Sequence, residues 1–144
     1  MSVIKGEEIK ELIPQRYPMI MVDTFYGATD SEADTGLTVA GDNLFCSGGF
    51  FMEPGLVEHI AQSASAFAGY QAKVKNEATP IGYIGEVKKF RINFLPRTGD
   101  KLCTHIRILS EVLGVSLLTA ETKVNDEVAA QCQMKIFIKP NDAN

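Results

Sequence analysis

The sequence predicts an α+β domain in which an antiparallel sheet wraps around one long helix, and three observations carry that prediction. The first is the stretch MEPGLVEHIAQSASAFAGY, residues 52–70, where Pro54 and Gly55 open a helix. Beyond Glu58 it is dominated by the small residues Ala61, Ser63, Ala64, Ser65, Ala66, Ala68 and Gly69. Such a helix can lie close to backbone on several sides, whereas an ordinary amphipathic helix buries one bulky face. The second is the run of strand-like segments after it, IGYIGEVKKFRINF, KLCTHIRILSEV, VSLLTAETKV and EVAAQCQMKIFIK. The third is the punctuation between them, at LPRTGD, at Leu113 and Gly114, and at Asn125 and Asp126. Long consecutive strands with one helix inserted early favour an antiparallel sheet wrapped around that helix.

Taken in order, Ser2 can cap a short helix reaching about Ile13, because Ile4, Ile9, Leu12 and Ile13 recur at a helical period and Pro14 follows. PMIMVDTFYGA, residues 18–28, reads as a strand, and ADTGLTVA, residues 33–40, as a second. GDNLFCSGGFFME, residues 41–53, has adjacent glycines and no clear period, so a loop or short strand is expected there. The long helix then runs from Pro54 to about Val74. No repeat or linker divides the chain, and residues 1–144 are expected to form a single domain.

At 144 residues, 45% hydrophobic and 22% charged, the chain can bury a core of ordinary size. Its net charge of −4 provides no cationic footprint, so no nucleic-acid partner is expected. No apolar run has membrane-spanning length, and MSVIKGEEIKELI carries acidic residues where a signal peptide has an apolar core, so a cytoplasmic location is expected. Cys46, Cys103 and Cys132 form no CxxC pair and are expected as buried or half-buried reduced thiols. His59 and His105 lack a second ligand at metal-site spacing, and no metal or other cofactor is expected.

Glu58 sits about one turn inside the long helix, near backbone N–H groups able to bind a developing oxyanion. Positions 58, 62 and 65 follow the i, i+4, i+7 rule, so Glu58, Gln62 and Ser65 share one polar strip. The plainer reading of Glu58 is a first-turn carboxylate stabilised by the helix dipole. His59 points about 100° away from that strip and is expected to bond a backbone group or sit at a subunit interface. His105 is expected as an ordinary strand side chain. Cys46 has no neighbouring base to activate it. Phe50 and Phe51 are more simply core than the lining of an acyl tunnel.

Four segments resemble, in order and spacing, the hotdog-fold 3-hydroxyacyl-acyl-carrier-protein dehydratases of bacterial fatty acid synthesis. LIPQRYPMIMVD, residues 12–23, is similar to that family's Leu-Pro-His-Arg-Tyr-Pro opening, and EPGLVEHIAQ, residues 53–62, to its Met-Pro-Gly turn and Glu-Ala-Met-Ala-Gln helix. FRINFLPRTGDKL, residues 90–102, and the closing VNDEVAAQCQMKIFI are similar to its strand, turn and final hairpin. The resemblance implies a hotdog fold, a dimer joined edge to edge, and thioesters of acyl carrier protein or coenzyme A whose acyl chain lies in a tunnel at the interface. It implies that Glu58 is the helical acid, that Gln62 takes the place of the family glutamine, and that Gly55 with the adjacent helix-start amides receives the thioester carbonyl.

One departure is chemical. The family's dehydratases carry a histidine in a His-Phe-Pro-Gly motif before the helix, and here LFCSGGFFME, residues 44–53, stands instead, about two residues shorter before Glu58; Gln15 replaces a histidine in the opening motif. A general base contributes about 10²–10⁴-fold, so the chain keeps half of an acid–base pair. Three functions follow: a dehydratase with a modified site; a hotdog thioesterase in which Glu58 activates water or attacks the thioester; or a half-catalytic or purely acyl-binding subunit. A dimer is expected, either a homodimer or a heterodimer with a histidine-bearing paralogue.

Overall fold

The computed structural model describes residues 3–139, so the Ser2 cap lies outside the described residues. Strand β1, Ile4–Lys5, leads into a 3-10 helix, Gly6–Glu11, rather than the helix to Ile13 that the periodicity suggests. The reason is that Ile4 and Lys5 pair with Phe25 and Thr24, and Gly6 then turns the chain at φ +64. The apolar positions keep their role: Ile9, Leu12 and Ile13 are all buried.

The strand expected over residues 18–28 is confined to β2, Thr24–Ala28. Backbone groups of residues 19–21, which a ladder would use, are taken by helix side chains. Gln62 binds the Met21 N–H and the Met19 carbonyl, and His59 binds the Met21 carbonyl. Strand β3 covers Glu32–Thr38. A small hairpin follows, β4 at Cys46–Ser47 and β5 at Phe50–Phe51, turned through Gly48 and Gly49 at φ +59 and +84. Positive φ at both central residues is the twist-matched hairpin geometry that glycine adopts most readily, so SGGF is an ordered turn.

Helix α1 runs Glu53–Val74. The remaining strands are β6, Ile81–Ile92; β7, Lys101–Val112; β8, Val115–Val124; and β9, Glu127–Lys139. The seven-stranded sheet has the order β1-β2-β3-β7-β8-β9-β6, every pair antiparallel, and it curves around α1 without closing. Its edges are β1 and β6. The side chains of β8 alternate between more and less buried positions, as a sheet with one face on a helix requires.

The small residues of α1 do what their size permits. Gln62 through Phe67 are buried without interruption, more than a full turn, so the helix is enclosed on all sides there. Closest approach is at Gly69, where a Cβ would fall 2.0 Å from the Leu12 carbonyl oxygen. Two apolar clusters result. One joins Leu12, Phe25, Ile60, Phe67, Ile106, Leu118 and Met134; the other gathers Met21, Leu37, Phe51, Leu56 and Leu102 around the helix N-terminus.

Candidate active site

The helix N-terminus is built on Met52, whose carbonyl accepts the N–H groups of Gly55 (2.9 Å) and Leu56 (3.2 Å). Gly55 is buried beneath two aromatic residues: a Cβ there would lie 2.6 Å from a Phe51 ring carbon and 2.7 Å from Phe45 Cβ. Its N–H already serves Met52, so a further acceptor at this point has to share that hydrogen.

Glu58 is half-buried, and its Oε1 accepts a hydrogen bond from Gln62 Nε2 at 2.9 Å. Gln62, 1% exposed, spends both amide hydrogens, one on Glu58 and one on the Met19 carbonyl at 2.7 Å, while its Oε1 accepts the Met21 N–H at 2.6 Å. The glutamine therefore has a single usable orientation, and it fixes one oxygen of the Glu58 carboxylate. Glu58 borders a cavity of about 210 Å³, walled by Gln15, Ala61 and Ser65 on one side and by Gly82, Tyr83 and Ile84 of edge strand β6 on the other. Ser65 Oγ and Gln15 Oε1 are buried there without a hydrogen-bond partner among the described residues. Of the 58, 62, 65 strip, Glu58 and Ser65 border the cavity, while Gln62 does not line it and bonds Glu58 from behind. Gly82 and Tyr83 carried no signal in the sequence, because only the wrapping of the sheet brings β6 over the helix.

Neither histidine reaches this cavity. His59 is fully buried, with Nδ1 2.6 Å from the Met21 carbonyl and Nε2 2.7 Å from Thr104 Oγ1. Only Nδ1–H can satisfy a carbonyl, so Nε2 accepts from Thr104, which lies 2.7 Å from Thr122 Oγ1. Burial lowers the pKa of His59 to about 4, holding the ring neutral. His105 stands on the outer face of the sheet between Asp34 (2.8 Å) and Glu32 (2.9 Å), and the Asp34 hydrogen bond leads in raising its pKa.

The remaining candidates are structural. Cys46 is half-buried and burial raises its pKa, which disfavours the thiolate. Cys132 is buried, its pKa pushed up to about 11. Cys103 is exposed, contrary to the expectation of three covered thiols, because it lies on the outward face of β7. Phe51 is core, while Phe50 stacks under the Arg97 guanidinium, 5.2 Å from its ring centre. A second cavity, about 680 Å³, runs beside the C-terminal half of α1 along Phe67, Ala68, Ala72, Leu118 and Ile138, and shares Ile136 with the Glu58 cavity.

A family model described as ApeP-like, ApeP dehydratase, matches residues 7–144. The chain belongs to that family. Among relatives of the ApeP-like chain, the 3-hydroxyacyl-acyl-carrier-protein dehydratase FabZ of Lactiplantibacillus plantarum is 25% identical over 153 aligned positions, covering 99% of each protein. FabZ of Nitrosospira multiformis is 25% identical over 141 positions, covering 94% of this chain and 97% of that one. Among solved structures, the dehydratase heterocomplex ApeI:P from Xenorhabdus doucetiae superposes with a TM-score of 0.85 at 18% identity, over 93% of this chain and 91% of that one. The fold is the hotdog fold, and the family is one of dehydratases. Among the described residues, no helix is long and apolar enough to cross a membrane.

Proposed function

We propose that this ApeP-like chain acts on 3-hydroxyacyl thioesters of acyl carrier protein as one half of a dehydratase site, with Glu58 as the acid and a histidine supplied by a partner subunit as the base. The observation that carries the reading is a clamped carboxylate beside the free sheet edge, in a chain whose two histidines are committed elsewhere. Gly82, Tyr83 and Ile84 of β6 wall the cavity and belong to the strand that a second hotdog subunit would extend, so a residue carried by that partner can face Glu58. The solved structure that superposes with a TM-score of 0.85 is itself a dehydratase heterocomplex, which supports a histidine-bearing paralogue over a second copy.

The chemistry divides accordingly. The partner's imidazole takes the hydrogen at C2, and the electron pair released forms the C2=C3 double bond. The C3–O bond breaks with its electrons on oxygen, and Glu58 donates the proton that completes water. Gly55 is proposed to lie against the thioester carbonyl, where any side chain would collide with Phe51. Its N–H would be shared between that carbonyl and Met52.

Co-expression with a histidine-bearing hotdog paralogue is the test. Turnover of 3-hydroxyacyl-acyl carrier protein is expected for the pair and not for this chain alone. Glu58→Gln in the pair should lower kcat by at least about 10²-fold. Full activity of the isolated chain, or of the Glu58→Gln pair, defeats the reading, and free thiol release in the same assay would assign hydrolysis instead.

A further inference from the structure

The Glu58 cavity contains a feature that the acid–base pair does not use. Ser65 is 4% exposed, and its Oγ, like the Oε1 of Gln15 in the same wall, has no partner among the described residues. A helical serine usually turns its hydroxyl onto the carbonyl four residues back. Ser63 does so, donating to the His59 carbonyl at 2.7 Å. Ser65 keeps its hydroxyl for the cavity.

Gly82 on β6 faces it. A Cβ there would stand 4.0 Å from Ser65 Cβ and 3.4 and 3.5 Å from side-chain atoms of Ile138 and Ile136, all ordinary contacts. Gly82 is also absent from the positive-φ glycines, so neither crowding nor backbone conformation requires glycine. What the missing side chain provides is open space in front of the serine. Buried polar atoms without partners are rare in folded proteins, and a cavity of about 210 Å³ has room for oxygen-bearing occupants.

The lining indicates which oxygen. Glu58, Ser65 and Gln15 border the same cavity, so an oxygen that Glu58 protonates there lies in the space that the serine hydroxyl and the glutamine amide also border. We propose that Ser65 and Gln15 form the oxygen site of this cavity, holding the 3-hydroxyl of the substrate as it leaves as water. The inference rests on the dehydratase reading above and adds two positioning residues to it. Before the step, Ser65 donates to the hydroxyl oxygen and the hydroxyl donates to Gln15 Oε1. Afterwards the oxygen has its second proton from Glu58, and the water donates to Gln15 and to the Glu58 carboxylate while accepting from Ser65. Two acceptors and one donor match a water molecule.

The test uses whichever assembly turns over 3-hydroxyacyl-acyl carrier protein. Ser65→Ala and Gln15→Met are each expected to lower kcat roughly tenfold, the scale of one hydrogen bond, with KM little changed. Ser65→Thr keeps the hydroxyl, has the Gly82 space for its methyl group, and should restore most of the rate. Gly82→Ala, which narrows the same space, should slow turnover without moving the thermal midpoint. If Ser65→Ala and Gln15→Met stay within twofold of the parent while Glu58→Gln is inactive, the oxygen site is wrong and the acid survives. Full activity in Glu58→Gln removes both. An independent check on the unaltered protein is a crystal structure: an ordered water on Ser65 Oγ and Gln15 is expected, and finding both atoms bonded to protein groups overturns the inference.

Discussion

Gln62 connects the site to the fold through one amide group. The same side chain that fixes the Glu58 carboxylate also holds Met19 and Met21, and its neighbour His59 takes the other polar group of Met21. His59 makes this arrangement pH-sensitive. Its pKa is about 4 when folded against 6.5 ordinarily, because it is fully buried. An unfolded chain gains the proton as the pH falls through 6.5, and the folded chain does not until about 4, so stability is lost progressively across that window. At 1.36 kcal/mol per unit the loss is roughly 3 kcal/mol. His105 has the opposite sign: its raised pKa contributes stability below 6.5 that disappears as the pH rises through the folded value. Being half exposed, that contribution is screened and smaller. Urea midpoints between pH 7 and pH 4 should therefore fall, and fall less in a His59→Gln variant; a flat profile for the parent protein would contradict the account. Glu58 and Gln62 were legible in the sequence because their spacing along one helix is local. That His59 bonds a backbone group was legible too, but the identity of its partners was not, since Met21 and Thr104 come from distant segments.

At the scale of elements, α1 is the part whose sequence and packing agree most closely. Its small residues permit close approach, and Gly69 uses that permission fully against the Leu12 carbonyl. Gly69→Ala cannot be accommodated by moving a flexible side chain, because the obstacle is backbone. It should destabilise by about 3 kcal/mol or more, a drop in thermal midpoint of about 10 °C for a chain of this size; an unchanged midpoint would mean that α1 does not sit this close. The last three strands begin and end where the turn residues indicate, since Leu113, Gly114, Asn125 and Asp126 all adopt the positive φ values those turns need. Residues 18–23 read as strand and are not one, because their backbone partners are side chains of a helix some forty positions later. Periodicity cannot see that competition.

For the molecule as a whole, the telling feature is a curved sheet that ends at β6, which pairs with β9 on one side and has no partner strand on the other among the described residues. The two halves of that strand differ. Ile81, Gly82, Tyr83 and Ile84 are largely apolar, with Tyr83 55% exposed, whereas Glu86, Lys88, Lys89 and Arg91 are charged. Proteins commonly use charge to blunt an exposed edge, and here the blunting covers the end away from the Glu58 cavity. An edge guarded over only half its length has a consequence for the cell that makes it. A chain synthesised in excess of its partner would expose a ready template for stray strands, so the fraction recovered in clarified extract should rise as a true partner is co-produced. Supply of the two subunits in matched amounts would then be a condition of keeping this chain from aggregating, quite apart from any chemistry it performs.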